Sequence, residues 1–285
     1  MFGDYQLVEL AGGAKTLFSA SYGEKMHPGL GPQAEAELLY VRQLKIRERL
    51  QNHFGEFVIW DVGLGAAANV IAALRATKEI SGQLRIVSFD NTTEPLEFAL
   101  KNSADLGYLA GFENQITCLL RDNRVEFENG RLKVKWEFYP DDFPTFLKLQ
   151  ISNLKFQRPH AIFYDAFSPA KNPAMWTLPL FQNLFRVLYP AQPCALTTYS
   201  RSTLIRATLL LSGFYVGVGH ATGLKEETTI AANTLNLIAA PLDRRWLDRA
   251  KRSHSAEPLA DAVYRRKPLT ADSLEKLRAH PQFQL

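Results

Sequence analysis

The sequence predicts an α/β fold built on a doubly wound, mostly parallel sheet of seven strands that ends in an antiparallel C-terminal hairpin. Three observations carry this prediction. Short β-branched runs alternate with helical segments, a glycine turn joins the first strand to the first helix, and the last two strands have no helix between them. Alternating strands and helices build parallel sheets, whereas directly connected strands pair antiparallel. The 46% share of hydrophobic residues suffices for a buried core in a chain of 285 residues.

The first βαβ unit begins at a short apolar run. Residues 57–60 are β-branched and aromatic, which predicts a strand, and the alanine-rich residues 66–77 after the glycine turn favour a helix. A second strand is predicted at 84–89. The helix that follows, at 94–106, has Pro95 in its first turn, where a proline is well tolerated.

The middle of the chain carries a hairpin signal. Apolar residues alternate between Val125 and Phe138 around Asn129-Gly130, a dipeptide that suits a two-residue turn, so we expect a small β-excursion before the third core strand. The later elements are predicted, in chain order, as a helix at 142–150, a strand at 160–164, a helix at 178–188, a strand at 194–199, a helix at 202–211 and strands at 214–218 and 228–239. The final two strands are expected to close one edge of the sheet.

Three regions are expected along the chain. Residues 1–50, with a helical run at 34–50, form an N-terminal extension, residues 51–240 form the core domain, and residues 241–285 form a basic tail packed on it. The basic side chains of the tail are Arg244, Arg245, Arg249, Lys251, Arg252, Arg265, Arg266 and Lys267. A net charge of +4 and a pI near 9.0 suit a polyanionic partner such as RNA, but a solvated helical face explains the basic cluster equally well.

Several classes of protein are disfavoured by the sequence. The first residues lack a secretory signal and no run is apolar enough to cross a bilayer, so we expect a soluble, cytoplasmic protein without membrane contact. Cys118 and Cys194 lie far apart and are interpreted as reduced, inert thiols. The six histidines are scattered without the spacing of a metal-binding helix, and we assign them surface or packing roles. No metal site is expected.

Ligand-binding residues are expected beyond the carboxyl ends of the parallel strands. Gly63 and Gly65 form the first of these loops, where missing side chains let the backbone approach a ligand and the next helix presents free N–H groups. Asp90 ends the second strand, 27 positions after Gly63, close to the spacing at which a carboxylate binds a ribose diol. Together they indicate an adenosine-containing ligand. Asp141 and Asp142 suit an adenine amino group, or form a solvated turn.

The loop after the fourth core strand holds the strongest signal. It runs from Asp165 to Trp176 with two prolines and two large aromatic residues, which predicts a rigid, partly apolar wall for a planar base. In the alternative, Phe167 and Trp176 fill the core beneath a loop that caps the sheet. Lys171 and Asn172 would meet a phosphate or a base edge, or face water.

This loop resembles a known family. Residues 164–176 are similar to the signature "D-G-F-A-P-A-K-N-P-x-x-W" of the methyltransferase that completes 5-methylaminomethyl-2-thiouridine in tRNA, including its stand-alone versions. Residues 61–69 are similar to its "G-F-G-T-G-L-N" loop, and Gly23-Glu24 with residues 31–41 to its N-terminal "G-E…G…E-A" element. Lys225-Glu226 resembles its "K-x-E" turn before the last strands.

The resemblance implies a class I methyltransferase that uses S-adenosyl-L-methionine to methylate the 5-aminomethyl group of a wobble uridine in tRNA. Asp165 would be the catalytic residue, beside both the sulfonium and the accepting amine. The implied cofactor-binding residues are Glu35, Asp61, Gly63, Gly65, Asp90 and Asp142. The implied substrate-binding residues are Phe167, Lys171, Asn172, Trp176 and Lys225. In many bacteria this domain is fused to a flavin-dependent oxidase, so a separate flavin-dependent enzyme is expected to act upstream.

Departures from the family pattern leave alternatives open. Ala67 replaces the third glycine of the loop and is expected to add a methyl group near the cofactor. Ala166 replaces the glycine after the reactive aspartate and Ser168 replaces an alanine, so the substrate pocket is expected to differ. Gly63-x-Gly65-x-x-Ala68 also satisfies the dinucleotide pattern, with Asp90 as the ribose acid, which would make the chain an NAD(P)-dependent oxidoreductase. A further alternative is a non-catalytic RNA-binding protein that retains the fold.

Overall fold

Two β-sheets organise the structure, a computed structural model that describes residues 4–150, 157–188, 192–223 and 226–284. The strands are β1 (Tyr5–Glu9), β2 (Lys15–Ser19), β3 (Glu24–Lys25), β4 (Glu56–Val62), β5 (Gly82–Phe89), β6 (Arg124–Asn129), β7 (Leu132–Tyr139), β8 (Ala161–Tyr164), β9 (Ala195–Thr198), β10 (Tyr215–Gly219) and β11 (Thr228–Ala232). Within the described residues, β1 to β3 form a small antiparallel sheet and the other eight strands form the central sheet in the order β10-β11-β9-β8-β4-β5-β7-β6.

Helices cover both faces of the central sheet. The α-helices are α1 (Pro32–Ala36), α2 (Ile46–Gln51), α3 (Ala68–Thr77), α4 (Glu94–Lys101), α5 (Ser103–Leu106), α6 (Glu113–Asp122), α7 (Phe143–Gln150), α8 (Leu178–Val187), α9 (Thr203–Leu211), α10 (Arg244–Lys251) and α11 (Ala271–Ala279). A π-helix spans Glu37–Arg42, and 3-10 turns span Pro173–Trp176, Leu235–Leu237 and Pro281–Phe283. The helical run predicted at 34–50 is therefore broken, because Lys45 takes a left-handed backbone conformation (φ +50°) before α2.

The parallel core is centred on β4. This strand pairs in parallel with β5 and β8, which pair in parallel with β7 and β9 respectively. Every residue of β4 after Glu56 is buried, as expected for a strand with neighbours on both edges and helices on both faces. The predicted fold class, a doubly wound and mostly parallel α/β sheet, is confirmed.

The central sheet has eight strands among the described residues, one more than predicted. The additional strand is β6, which pairs antiparallel with β7 across the turn at Asn129-Gly130. The predicted hairpin is present, but its second arm is itself the third core strand. Buried and more exposed residues alternate along β7, whereas β6 has no fully buried residue because it forms the edge of the sheet.

The C-terminal strand pair is antiparallel, as predicted. β11 lies between β9 and β10 and runs antiparallel to both, so the last strand is inserted one position inside the edge. It ends at Ala232, well before the predicted limit of 239, and the chain continues into a 3-10 turn. At this end of the strand, Asn233 accepts a hydrogen bond through Oδ1 from the backbone N–H of Cys194 (2.9 Å).

Residues 241–284 cap the free edge of the sheet. The backbone N–H of Val216 in β10 donates to Gln282 Oε1 (2.7 Å), and Gln282 Nε2 donates back to the carbonyl oxygen of Val216 (2.8 Å). Trp246 of α10 stacks on Phe283, and both are buried in the core between the sheet and α8 and α9. Covering an edge strand in this way protects it from pairing with other chains. Among the described residues, no helix is both long and apolar enough to cross a membrane.

The N-terminal segment shares the core on the opposite face. Leu17 of β2 and Leu39 and Tyr40 of the π-helix are almost fully buried in the same cluster as the apolar side of α3. Because the segment packs directly on the sheet, it brings β3 and the turn after it to the carboxyl ends of the central strands.

Candidate active site

A cavity of about 490 Å³ opens at the carboxyl ends of β4, β5, β7 and β8. The chain leaves β4 toward β5 and later adds β8 on the other side of β4, so the cavity lies where the strand order reverses. The predicted site residues that line it are Glu35, Gly63, Gly65, Asp90, Asp142, Asp165, Phe167 and Asn172. The structure thus brings together eight residues that are distant in sequence.

The glycine loop is shaped by close backbone contacts. Gly63 has a φ of +94°, and a Cβ placed on it would lie 2.8 Å from the carbonyl oxygen of Asp165. Only a residue without a side chain lets β4 and the start of the Asp165 loop approach this closely. The N–H of Gly65 donates to Asp90 Oδ2 (2.9 Å), which joins the loop to the end of β5.

Asp90 is set deep in this corner. Burial raises the pKa of its carboxyl above the ordinary value, while the hydrogen bond from the Gly65 N–H opposes that shift. The Asp90 carboxylate therefore both accepts a hydrogen bond from the glycine loop and lines the cavity.

The methyl group of Ala67 was expected to lie near the cofactor, but the structure places it elsewhere. Its methyl group is fully buried in the core and does not line the cavity, so it adds no bulk near a ligand. Its backbone is left-handed (φ +61°), a conformation that glycine adopts without a steric penalty. The consequence of this departure is local backbone strain of about 1–2 kcal/mol.

Asp165 follows β8 at the centre of the cavity. Its Oδ2 accepts a hydrogen bond from Asn69 Nδ2 (2.8 Å) and lies 3.6 Å from His27 Nε2. The side chains of Asp165 and His27 are 16% and 12% exposed, so water reaches this pair only from the cavity side. Near this carboxylate, burial and the negative charge of Asp165 raise the pKa of the Tyr40 hydroxyl well above the ordinary value. The carboxylate is therefore oriented from one side and open to the cavity on the other.

The N-terminal segment clamps the Asp165 loop. Glu24 accepts hydrogen bonds from both the backbone N–H and the hydroxyl of Ser168, and the ring of Tyr22 stacks on Phe167 with 4.0 Å between centroids. The alanine-to-serine departure at position 168 thus adds a second hydrogen bond to this clamp. Ala166, the other departure, is buried in the apolar cluster of the core and is also one of the residues that line the cavity.

Glu35 and Asp142 organise the rim. Glu35 is 7% exposed and accepts hydrogen bonds from the backbone N–H groups of Gly29 and Leu30, which holds the turn that carries His27. Asp142 precedes α7 and accepts from the N–H of Thr145 (3.1 Å), so it caps that helix at the cavity edge.

Three predicted site residues do not line the cavity. Asp61 is fully buried within the sheet, where its Oδ2 accepts from the Ser88 hydroxyl (2.9 Å) and burial raises the pKa of its carboxyl well above the ordinary value. Trp176 is also fully buried and donates through Nε1 to the carbonyl oxygen of Phe167 (2.8 Å), so it fills the core beneath the loop. Lys171 is exposed outside the cavity. Lys225 lies outside the described residues.

The residues that sequence reasoning missed come mainly from the N-terminal segment. Tyr22, Glu24 and His27 line the cavity, and Asn69 of α3 orients Asp165. His27, expected with the other histidines to have a surface or packing role, lies on the cavity wall with its side chain 12% exposed. A usable signal was the Gly23-Glu24 match to the family element, which pointed to this segment without naming the residues that follow it.

The cavity wall is strongly acidic. Over the described residues, its carboxyl groups are those of Glu24, Glu35, Asp90, Asp141, Asp142 and Asp165, and its basic side chains are Lys25 and His27. Such a lining favours a cationic ligand. S-Adenosyl-L-methionine, with a sulfonium, an ammonium and one carboxylate, carries a net positive charge and fits this set of groups.

A Cβ on Gly65 would lie 3.6 Å from Met26 Sδ and would narrow the space between the glycine loop and that side chain.

Comparison with known proteins gives three kinds of match. A family model described as an S-adenosyl-L-methionine-dependent methyltransferase matches residues 116–234, which include the Asp165 loop but not the glycine loop. Two curated relatives are tRNA 5-methylaminomethyl-2-thiouridine biosynthesis bifunctional proteins MnmC. The protein of Aeromonas hydrophila is 27% identical over 75% of this chain and 33% of its own length, and that of Methylibium petroleiphilum is 28% identical over 79% and 34%. The chain spans about a third of the length of these relatives.

Among solved structures, MnmC2 from Aquifex aeolicus is 26% identical, with a TM-score of 0.69 over 96% of this chain and 85% of that chain. The chain resembles the MnmC methyltransferase family. The resemblance predicted from the sequence is thereby confirmed, together with the prediction of a methyltransferase that uses S-adenosyl-L-methionine. A spermidine synthase with a TM-score of 0.51 and 12% identity shares the fold alone.

Proposed function

We propose that this chain transfers a methyl group from S-adenosyl-L-methionine to the primary amine of a 5-aminomethyl group on a wobble uridine of tRNA. The observation that carries the proposal is the position of Asp165, whose carboxylate is held by Asn69 in an acidic cavity beside the glycine loop. The two relatives named tRNA 5-methylaminomethyl-2-thiouridine biosynthesis proteins, which match 75% and 79% of this chain, support an acceptor in tRNA.

The residues of the cavity divide between cofactor and acceptor. We assign the backbone of Gly63 and Gly65 to the methionine part of the cofactor, Asp90 to its ribose and Asp142 to the adenine side. Phe167 and Asn172 line the wall of the Asp165 loop and are assigned to the uracil ring of the acceptor. Glu35 acts through the backbone turn that it holds.

The mechanism is a direct displacement. When bound, S-adenosyl-L-methionine would supply an electrophilic methyl group on its sulfonium, and the substrate amine would displace the sulfur. The protein contributes alignment and charge more than covalent chemistry. Asp165 accepts a hydrogen bond from an amine N–H, which aims the nitrogen lone pair, and its negative charge offsets the positive charge that develops on nitrogen. Asn69 fixes the orientation of that carboxylate.

The acidic cavity also weighs against the dinucleotide alternative. A pyrophosphate carries two negative charges and is bound by N–H groups or cations. Six carboxyl groups against one lysine and one histidine repel such a ligand unless several are protonated. The non-catalytic alternative differs in its outcome, because it predicts cofactor binding without transfer to any tRNA.

Asp165→Ala tests the assignment of the catalytic residue. Because the carboxylate is assigned to the acceptor amine, we expect turnover on undermodified tRNA to be abolished while the affinity for S-adenosylhomocysteine stays within about tenfold, or about 1.4 kcal/mol. Transfer of a labelled methyl group and calorimetric titration measure the two quantities. Asp105→Ala, which removes an exposed carboxylate paired with Lys15, is the matched control. Full activity of Asp165→Ala would remove Asp165 from the mechanism.

Binding decides between the two enzyme classes. Calorimetric titration with S-adenosylhomocysteine and separately with NADH is expected to give saturable binding of the former alone. Binding of NADH alone would refute the proposed reaction. The proposal also includes an upstream flavin-dependent enzyme that exposes the amine, and a cytoplasmic location where tRNA is available to both.

A further inference from the structure

His27 is a titratable side chain beside Asp165 to which the reaction above gives no role. Its Nε2 lies 3.6 Å from Asp165 Oδ2, and both side chains line the same cavity. Asn69 donates to that same oxygen from the other side at 2.8 Å. The imidazole therefore faces a carboxylate whose orientation is already fixed.

The backbone around His27 is held from both directions. Met26 donates through its N–H to the carbonyl oxygen of Leu17 in β2 (2.8 Å), while Glu35 binds the N–H groups of Gly29 and Leu30. His27 itself has a left-handed conformation (φ +50°), which few non-glycine residues adopt. Strain of this kind persists where the surroundings impose it, and it is concentrated at functional sites. The turn thus fixes the imidazole toward the cavity.

The proposed reaction requires a proton acceptor at this place. An alkylammonium group is largely protonated near neutral pH, and only the neutral amine has a lone pair with which to attack. An ordinary carboxylate is a weak acceptor for that proton, whereas an imidazole is matched to neutral pH. Asp165 can orient the amine and stabilise charge, but the proton needs a better base.

We propose that His27 accepts the proton that the substrate ammonium loses, and that Asp165 stabilises the resulting imidazolium. This inference rests on the proposed function. The N–H bond of the ammonium breaks and its electron pair stays on nitrogen, while the proton moves to the imidazole. The amine then attacks the methyl carbon, the carbon–sulfur pair leaves with sulfur, and the second amine proton is released to solvent after transfer, as is the proton on His27.

The cavity that His27 faces is lined mainly by acidic side chains. The charged and titratable side chains that face the cavity with His27 are Glu24 and Lys25 of its own segment, Glu35 of α1, Asp90 after β5, Asp141 and Asp142 after β7, Asp165 after β8, and Tyr5, Tyr22 and Tyr199. Among the described lining residues, six carboxyl groups against one lysine favour the entry of a cationic substrate such as an alkylammonium group. Asp165 is the one whose distance to the ring is that of an ion pair.

His27→Asn is the variant that separates chemistry from structure. Asparagine tolerates the left-handed conformation and is polar, but it cannot accept the proton. With wild-type protein transferring methyl groups to undermodified tRNA, we expect kcat/KM of the variant to fall by about 10²- to 10⁴-fold while the affinity for S-adenosylhomocysteine stays within about threefold. The rate of the variant should rise with pH until the amine is neutral, and added imidazole should restore part of it. His254→Asn, at an exposed histidine, is the matched control and should behave as wild type.

Each other outcome overturns the assignment in a distinguishable way. Wild-type kcat/KM and pH profile in His27→Asn would show that the imidazole takes no proton. Loss of S-adenosylhomocysteine binding in the variant would make His27 a structural residue. Absence of transfer by the wild-type protein that still binds S-adenosylhomocysteine would overturn the proposed acceptor, and with it this role for His27.

Discussion

Gly63→Ala tests whether the glycine loop and the catalytic loop depend on one backbone contact. The added Cβ would lie 2.8 Å from the Asp165 carbonyl oxygen, and ordinary contact begins at 3.4 Å, so this carbonyl must retreat by about 0.6 Å. The φ of +94° adds strain of about 1–3 kcal/mol for any residue with a side chain. We therefore expect a loss of about 2–4 kcal/mol of stability. Since a shift of 1 Å in a reacting group can lower a rate about 10²-fold, turnover should fall roughly 10- to 100-fold.

The assay combines urea unfolding with methyl transfer on the same preparations. Gly12→Ala is the matched control, because a Cβ at Gly12 meets nothing within 4 Å and its φ is not positive. The control should keep wild-type stability and activity. If Gly63→Ala instead unfolds and turns over like the control, the contact between Gly63 and Asp165 does not position the site, and the reasoning fails.

Three further predictions concern stability and RNA binding. Burial and nearby cationic charge lower the pKa of His160 to about 4. The unfolding free energy should therefore decrease as the pH falls from 6.5 toward 4, by up to about 1.4 kcal/mol per pH unit. His160→Gln should flatten that pH dependence in urea unfolding. Arg206 is 3% exposed and binds two threonine oxygens and Glu227, so Arg206→Met should lower the unfolding free energy by about 2–4 kcal/mol in urea titration. Charge reversal at the exposed Arg245 and Arg249 of α10 should weaken tRNA binding and reduce by about two the slope of log affinity against log salt concentration. The affinity for S-adenosylhomocysteine should not change. An unchanged salt slope would exclude RNA contact at these two residues.

The core strands could be predicted because their signals are local. β4, β5, β8 and β9 are short apolar runs bounded by turn residues, and each begins and ends within about two residues of its prediction. The hairpin at Asn129-Gly130 was predicted on the same grounds, yet local pattern could not tell that β7 would join the sheet beside β5. That pairing depends on contacts between strands that are distant in sequence, and those are set by tertiary packing.

Asp61, Lys171 and Trp176 do not line the cavity, and the local sequence pattern could not give the direction of their side chains. Asp61 and Ile59 lie on the same face of β4, since side chains alternate along a strand, and Asp61 therefore meets Ser88 inside the sheet. Trp176 ends a 3-10 turn and packs on Tyr164 in the core, which is the alternative that the sequence left open.

The N-terminal wall of the site could not be derived from local pattern at all. Glu24 and Ser168 are 144 positions apart, and His27 reaches Asp165 over a similar separation. Periodicity is read in windows of about 11–18 residues and carries no information on such contacts. Only the family resemblance pointed to this segment, and it did so without identifying the imidazole.

The three departures from the family pattern bear unequally on activity. The Ala67 methyl lies in the core and leaves the cavity unchanged, and the Ser168 hydroxyl strengthens the attachment of Glu24 to the loop. Neither removes a group that the proposed mechanism uses, so neither argues for a protein that has lost turnover. Ala166 belongs to the apolar cluster of the core and, next to Asp165, to the cavity lining. A difference from the family in acceptor choice is therefore expected at Ala166 or Ser168, the two departures that line the cavity.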